Sequence, residues 1–130
     1  MQYRVYDTKH KEWIYKDIFM SQDGELFMSK KILFIFNKLC LLPQSRYVSQ
    51  EFVGLHDRNN QPIYIGDYVE AQVTEDKKII GVITFANETS GYIILGINEN
   101  KFYTLGEYVS EYINVIGNVF ETSIEVEDND

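Results

Sequence analysis

Residues 66–73 read Gly-Asp-Tyr-Val-Glu-Ala-Gln-Val, and this stretch indicates the fold more directly than any other. The glycine permits a tight turn at its start, and the aspartate side chain can accept hydrogen bonds from the amides of that turn. Apolar and polar residues then alternate, which is typical of a strand with one buried face. The stretch therefore predicts a turn that leads directly into a half-buried strand.

More short strands are predicted after this stretch, at a spacing of about 8–12 residues. They fall at residues 79–85, 91–97, 102–105 and 113–120, and residues 105–112 are compatible with one helical or 3₁₀ turn. Such a series is typical of a small barrel or sandwich. Because the Gly-Asp-x-Val opening recurs at the first strand of SH3-like barrels, we predict an SH3-like β-barrel over residues 46–120.

The N-terminal third predicts a β-hairpin or meander, which we assign to a subdomain of residues 1–45. Residues 3–6 alternate as in a strand, and Gln22-Asp23-Gly24 is a turn signal. Residues 32–42, Ile-Leu-Phe-Ile-Phe-Asn-Lys-Leu-Cys-Leu-Leu, are the most apolar stretch, and their β-branched and aromatic content favours a strand over a helical turn. The predicted fold is mostly β, a small SH3-like β-barrel with an N-terminal β-hairpin subdomain.

The apolar stretch at residues 32–42 would promote aggregation if it were exposed, so something must cover it. An internal core could do so, and so could a neighbouring subunit. The second alternative makes the stretch a candidate oligomer interface. Its candidate side chains are Ile32, Phe34, Phe36, Leu39, Leu41 and Leu42.

The composition excludes several classes of protein. The chain has 130 residues, 45% of them apolar, and one cysteine, which excludes collagen-like, disulfide-stapled and fully disordered classes. No run approaches the ~20 apolar residues that a membrane helix needs, so we expect no membrane contact. The N-terminus lacks the pattern of a secretory signal, and we therefore expect a cytoplasmic protein.

Charge is unevenly distributed along the chain. Residues 1–50 carry 8 basic and 5 acidic groups, residues 51–120 carry 4 and 10, and residues 121–130 carry none and 5. We predict that residues 121–130 form an acidic flexible tail, with a decoy for a basic surface as the alternative. The net charge of −8 disfavours nucleic acid without excluding it. A candidate nucleic-acid face would use the basic residues Arg4, Lys9, Lys11, Lys16, Lys30 and Lys31.

No pattern in the sequence indicates catalysis. His10 and His56 lie far apart in polar turns, without the spacing of a metal site, and we expect ordinary surface histidines. The acidic residues, Asp57 and Asp67 among them, are expected to be solvated loop acids, and Cys40 a small buried hydrophobe. Nucleophile-elbow, P-loop and EF-hand patterns are absent from the sequence. We predict a protein that is not an enzyme and has no catalytic, cofactor-binding or metal-binding residues.

Several aromatic residues cluster towards the C-terminal end. A stacking platform for single-stranded nucleic acid is one interpretation, but Lys101 is the only base nearby, so packing in the core or at an interface is favoured. The set comprises Tyr92, Phe102, Tyr103, Tyr108 and Tyr112.

Three blocks of sequence together carry a family resemblance. The first is Tyr-Arg-Val-Tyr-Asp at residues 3–7, with Trp13 and Phe19-Met20 after it. The second, residues 52–69, reads Phe-Val-Gly-Leu-His-Asp-Arg-Asn-Asn-Gln-Pro-Ile-Tyr-Ile-Gly-Asp-Tyr-Val, and the third is Val-Ile-Gly-Asn-Val-Phe-Glu at residues 115–121. In order and spacing, these blocks resemble the YopX family of phage and prophage proteins.

The resemblance implies a β-barrel protein of phage or prophage origin, acting in the bacterial cytoplasm and prone to self-association. It supplies no catalytic residues. The chain departs from the family pattern at Asn60, where Gly is usual, and at Thr122, where Asn is usual. We predict an accessory protein that works by protein–protein interaction as a homo-oligomer, with a host or phage protein as a further partner. The alternative is a nucleic-acid-associated protein that uses the basic N-terminal face. A small hydrolase is a third hypothesis.

Overall fold

The described part of the chain is almost entirely β-strand. The structure, a computed structural model, describes residues 3–33, 36–106 and 111–121; for residues 31–33, 36 and 37 it describes the backbone alone. These residues form strands β1 to β12 and one 3₁₀ turn at Asn87–Thr89. The prediction of a mostly β fold is confirmed, while the SH3-like arrangement stays a prediction.

The chain divides into two compact units. The first is Tyr3–Gln50, and the second contains the described residues from Glu51 onward. The sequence-based boundary between residues 45 and 46 stays a prediction. The predicted acidic tail lies outside the described residues, except for Glu121, which is in a turn.

The first unit contains five complete strands. Strand β1 (Tyr3–Asp7) pairs antiparallel with β2 (Glu12–Ile14), which places Asp7 opposite Glu12. Strands β3 (Ile18–Met20), β4 (Leu26–Leu33) and β5 (Phe36–Leu41) form a three-stranded antiparallel sheet. A small core forms where buried Val5, Leu26 and Leu42 meet.

Where the structure describes the apolar stretch of residues 32–42, most of it is strand rather than helical turn, as predicted, but it belongs to two strands of a hairpin. Strand β4 ends at Leu33 and β5 begins at Phe36, so the chain reverses within the stretch. Phe27 pairs with Leu41 and Met28 with Cys40. Because side chains alternate along a strand, Leu41 lies on one face of the sheet and Cys40, which is half-buried, on the other.

The second unit is built around a five-stranded antiparallel sheet. Strand β6 (Tyr47–His56) begins in the first unit, and its second half pairs with β7. The order of the large sheet is β11-β10-β9-β8-β12, and the sheet curls into a half-barrel. The remaining strands are β7 (Pro62–Tyr64), β8 (Asp67–Thr74), β9 (Lys77–Ala86), β10 (Gly91–Gly96), β11 (Phe102–Thr104) and β12 (Ile113–Asn118).

The strands predicted at residues 79–85, 91–97, 102–105 and 113–120 are confirmed as β9 to β12. The 3₁₀ turn lies between β9 and β10, where the sequence analysis placed none. Of the helical turn predicted at residues 105–112, residues 107–110 lie outside the described part, and Leu105 and Gly106 are not helical.

The core of the second unit follows from alternation along these strands. In β8, Val69 and Ala71 are fully buried, while Glu70 between them points the other way. Each fully buried Val or Ile contributes roughly 1.5–3 kcal/mol relative to an exposed one. The other members of the core are Val53, Ile63, Ile79, Ile83, Ile94, Leu105 and Ile113.

Close approach of β10 to β9 requires a residue without a side chain at Gly81. Gly81 faces Gly96 across the sheet and Val69 on the other side. A Cβ atom at Gly81 would lie 2.8 Å from the backbone oxygen of Leu95, and a backbone atom cannot move aside as a flexible side chain can.

We expect Gly81→Ala to lower the free energy of unfolding by roughly 1–3 kcal/mol, because the added methyl group forces β9 and β10 apart. Gly106→Ala is the control, since an added Cβ at Gly106 meets nothing within 4 Å. Urea unfolding followed by circular dichroism measures both. Equal losses in the two variants would contradict the tight contact at Gly81.

Candidate functional site

Asp57 holds the turn after β6 against β12. Its Oδ1 accepts hydrogen bonds from the backbone N–H groups of Asn59 and Gln61, both at 2.9 Å. Its Oδ2 accepts one from the backbone N–H of Val115 in β12, also at 2.9 Å. Asn60 in this turn has φ of 64°, a left-handed conformation that asparagine tolerates and glycine adopts freely. The departure from the family pattern at Asn60 therefore leaves the turn intact.

Asp67 makes a second connection to β12, at the C-terminal end of that strand. Its Oδ2 accepts a hydrogen bond from the backbone N–H of Tyr64 at 2.8 Å, across the turn that Gly66 makes with φ of 96°. Its Oδ1 accepts one from Nδ2 of Asn118 at 2.9 Å. The side-chain oxygen of Asn118 in turn accepts the backbone N–H of Phe120.

The prediction that Asp57 and Asp67 are solvated loop acids is wrong, because both side chains are buried. The polar residues of the second and third sequence blocks therefore stabilise turns and β12. The hydrogen bond from the Tyr64 amide to Asp67 confirms that this aspartate accepts from the amides of its turn. The bond from Asp57 to Val115 joins residues 58 positions apart, and no local pattern indicates it.

In the first unit, buried Asp7 forms an ion pair with half-buried Arg46. Nε of Arg46 lies 2.8 Å from Oδ1 of Asp7, and Nη2 lies 2.8 Å from Oδ2. The backbone N–H groups of Lys9 and His10 also donate to Oδ1. These donors hold the pKa of Asp7 well below its usual range, with the Arg46 guanidinium as the main cause.

His10 completes this cluster at its surface. Its Nδ1 lies 2.8 Å from both Oδ2 of Asp7 and Nη2 of Arg46, although 57% of the side chain is exposed. His10 is thus at the surface, as predicted, but it contacts an ion pair that the sequence analysis missed. The Asp-x-x-His spacing of Asp7 and His10 is the sequence signal that could have predicted this contact.

A metal ion could use Asp7, His10 and Glu12, whose ligand atoms lie within 4.8 Å of one another. The chemistry of the donor set argues against it. Arg46 already bonds both carboxylate oxygens of Asp7, and its positive charge would repel a cation bound to the same oxygens. The cluster fits an ion pair that joins β1 to the start of β6.

The candidate nucleic-acid residues are in different situations. Nε of Arg4 donates to Oε1 of buried Gln50 at 3.1 Å, and its guanidinium lies 4.1 Å from the centre of the Trp13 ring. Four lysines are exposed, and the side chain of Lys31 lies outside the described residues. The exposed four are Lys9, Lys11, Lys16 and Lys30.

One face of the sheet β3-β4-β5 presents apolar side chains to solvent. Phe19, Phe27 and Leu41 form a row of cross-strand partners, and Leu39 stands next to Leu41 on the same face. The exposed fractions are 51% for Phe19 and 58% for each leucine. We call Phe19, Phe27, Leu39 and Leu41 the apolar face.

The structure places the six candidate interface residues differently from one another. Leu39 and Leu41 belong to the apolar face, whereas Leu42 is 6% exposed and lies in the core of the first unit. Phe34 lies outside the described residues, and so do the side chains of Ile32 and Phe36. Phe19 and Phe27 are absent from the predicted interface residues, because their position opposite Leu41 depends on the register of three strands.

The second unit contains an open cleft of about 670 Å³ at the end of its sheet. It brings together three of the predicted aromatic residues, Phe102, Tyr103 and Tyr112. Tyr103 also packs on the core, as does Tyr92, which does not line the cleft, and Tyr108 lies outside the described residues. The other lining residues are Gln72, Val73, Thr74, Glu75 and Thr104.

A hydrogen-bonded group fixes Tyr103 in this cleft. Its hydroxyl donates to Oε1 of Glu99 at 2.7 Å, and Nζ of Lys77 lies 3.2 Å from Oε2. The bond from Tyr103 lowers the pKa of Glu99, and Lys77 acts in the same direction. The same bond raises the pKa of Tyr103, so the phenol stays protonated and keeps donating.

In the part of the chain that the structure describes, no helix has the length and apolar character needed to cross a membrane.

Comparisons with known proteins agree with the resemblance seen in the sequence. A family model described as YopX protein matches residues 2–126. The chain is also similar to the crystal structure of protein EF1440 from Enterococcus faecalis, with a TM-score of 0.55 and 17% identity over 92% of each chain. At that identity the likeness concerns the fold alone. No curated protein matches the chain.

We expect Asp57→Asn to lower the free energy of unfolding by roughly 1–3 kcal/mol. The asparagine NH₂ group must face at least one backbone N–H that now donates to the carboxylate, which leaves that N–H without an acceptor. Urea unfolding measures the loss, with Asp76→Asn as the exposed control. Equal stability of Asp57→Asn and the unchanged protein would show that the turn does not depend on the carboxylate.

The Asp7–Arg46 pair makes stability depend on pH. Folding lowers the pKa of Asp7, so the pair stabilises the fold at a pH above about 3.9 and this contribution is lost as the pH falls below it. We therefore expect Asp7→Asn to be clearly less stable than the unchanged protein at about pH 7, and the difference to shrink towards about pH 3. Urea unfolding at both values is the measurement, with exposed Asp23→Asn as control. A difference independent of pH would contradict the ion pair.

Proposed function

Because the chain belongs to the YopX family, we propose that it is a phage or prophage accessory protein that works through protein–protein contact as a homo-oligomer. In this proposal it acts in the cytoplasm of the bacterial host and catalyses no reaction. A second copy of the chain covers the apolar face, and a host or phage protein is the further partner.

The apolar face is the observation that carries this proposal. Its opposite side packs on the core, where Ile18, Met20 and Met28 lie against the buried residues of the first unit. A sheet with apolar side chains on both sides must pack against something on each side to bury them. The core of the first unit covers one side, and the apolar face on the other side is exposed. A contiguous exposed apolar patch commonly marks an interaction site.

A second copy fits this face because of its chemistry. Leu39 stands opposite Ser29, and the described side chains of the face carry no charge. Residues 3–50 as a whole carry 8 basic against 5 acidic groups, and Lys30 and Lys38 lie on the other side of their strands. Phe19, Phe27, Leu39 and Leu41 can therefore meet the same four side chains of a second copy without burying like charges, as a two-fold symmetric dimer requires.

The proposal that the protein catalyses no reaction is supported by the buried carboxylates, whose oxygens are occupied by hydrogen bonds and an ion pair. Asp57 and Asp67 accept hydrogen bonds from backbone amides and from Asn118, and Asp7 is paired with Arg46. A general acid or base must instead be free to exchange a proton with a substrate.

Sedimentation velocity over about 1–100 µM tests the self-association. We expect the unchanged protein to be a dimer or larger, and Leu41→Lys to shift it towards monomer, because two lysines would face each other across the interface. The apparent dissociation constant should rise about tenfold or more.

Leu95→Lys is the matched control, because Leu95 is also an exposed strand leucine, 45% exposed, but lies in the second unit. It should leave the oligomer unchanged. A monomer across the whole range, or equal effects of the two lysines, would overturn the proposal.

The nucleic-acid alternative rests on the exposed lysines of the first unit, among them Lys9, Lys11 and Lys16. Pull-down from infected or lysogenic host lysate, with and without nuclease, separates the two hypotheses. Partners lost on nuclease treatment, and binding of duplex DNA that weakens steeply with salt, would favour the alternative.

A further inference from the structure

Strand β11 forms one edge of the five-stranded sheet, and its register shows which backbone groups face outward. The backbone N–H of Gly96 donates to the carbonyl of Lys101, and the N–H of Leu105 donates to the carbonyl of Tyr92, both at 3.0 Å. Tyr103, midway between these bonds, therefore directs its own N–H and C=O towards β10. The backbone groups of Phe102 and Thr104 point away from β10.

No described strand pairs with β11 on that outer side. An edge strand with outward N–H and C=O groups is a template for another strand. The open cleft lies along it, since Phe102, Tyr103 and Thr104 all line the cleft. Its volume of about 670 Å³ is within the usual range of ligand sites.

The walls of the cleft favour long side chains that carry positive charge. Phe102 is 53% exposed and Tyr112 is 45% exposed, so ring surfaces are accessible for cation–π contact and for the stems of Lys or Arg. Glu75 lines the cleft and is exposed, and exposed Glu111 precedes Tyr112.

The charges around the cleft support the same interpretation. Of the nearby bases, Lys77 is already bonded to Glu99, while Lys101 lies next to Phe102. Residues 51–120 carry 10 acidic against 4 basic groups. This excess attracts a cationic partner and repels a phosphate backbone.

We propose that this cleft binds an extended basic peptide segment of a partner protein, which adds as a strand to the outer edge of β11. The backbone of the peptide pairs with Phe102 and Thr104, and alternate side chains enter the cleft between Tyr103 and Tyr112. This inference goes beyond the proposed self-association, because it uses none of the residues of the apolar face.

Fluorescence polarisation with labelled octapeptides tests the site on the full chain. The probe is a Lys-Val repeat, and its counterpart is a Glu-Val repeat of equal length and strand propensity. We expect the Lys-Val peptide to bind with a dissociation constant on the order of 10–100 µM and the Glu-Val peptide at least tenfold more weakly. Equal binding of the two, or no binding of the Lys-Val peptide, overturns the proposal.

N-methylation of the probe tests strand pairing separately from charge. In a strand, alternate N–H groups point to opposite edges. In the Lys-Val peptide, the lysine N–H groups therefore point to one edge and the valine N–H groups to the other. We expect methylation of the set that faces β11 to abolish binding and methylation of the other set to preserve it. Equal affinities of the two methylated peptides would contradict strand addition.

Two variants locate the site, each with a matched control. Phe102→Ala and Glu75→Gln should each weaken binding of the Lys-Val peptide about tenfold. Phe85→Ala and Glu88→Gln remove the same groups from exposed positions outside the cleft lining and should leave the affinity unchanged. Thermal unfolding confirms that all four variants are folded. Equal effects at the cleft and at the control positions overturn the proposal.

An eight-residue oligothymidylate serves as the competing ligand. Stronger binding of this oligonucleotide than of the Lys-Val peptide, lost in Phe102→Ala, would make the cleft a nucleic-acid site and overturn the peptide proposal. Loss of the peptide site would leave the oligomer result for Leu41→Lys untouched, so the two proposals fail independently.

Discussion

The second unit depends on the attachment of β12, the last described strand, to β8, a strand that comes much earlier in the chain. Backbone pairing between the two shifts register between Val115 and Gly117, so the ladder alone is irregular. Asp57 bonds β12 at Val115 and Asp67 bonds it at Asn118. Both carboxylates are buried, and each accepts hydrogen bonds through both of its oxygens, so neither leaves an unsatisfied polar group in the interior. These two residues hold the middle and the C-terminal end of the strand that completes the sheet.

The buried carboxylates of both units take part in hydrogen bonds and an ion pair that hold the fold together. The three sequence blocks that resemble the YopX family contain residues that form turns and connect strands. Gly66 and Asn60 adopt the positive φ angles of two turns. Asp7 pairs with Arg46 and so connects β1 to the start of β6. The described features suited to recognition lie elsewhere, in the apolar face of the first unit and in the aromatic, acidic cleft of the second. The apolar face and the cleft are the surfaces on which the proposals of self-association and of peptide binding rest.

Most of the strands could be predicted because alternation and turn residues are local signals. The reversal between β4 and β5 could not, since the stretch contains no glycine or proline and reads as one apolar run. The burial of Asp57 depends on a partner 58 positions away, and the apolar face depends on the register of three strands. The aromatic cluster was visible in the sequence, but only the fold separates Tyr92, on the core, from Phe102, in the cleft.

The division of the chain after Gln50 also means that the first unit can fold before the second during synthesis. Every strand of the first unit is available once residue 50 has left the ribosome, whereas β8 must wait for β12, which ends at Asn118. Ribosomes release N-terminal segments first, at about 5–20 residues per second. For several seconds on each nascent chain the β3-β4-β5 sheet therefore precedes the completed half-barrel. In the proposed homo-oligomer, chains growing on the same messenger RNA would therefore be the first copies to meet.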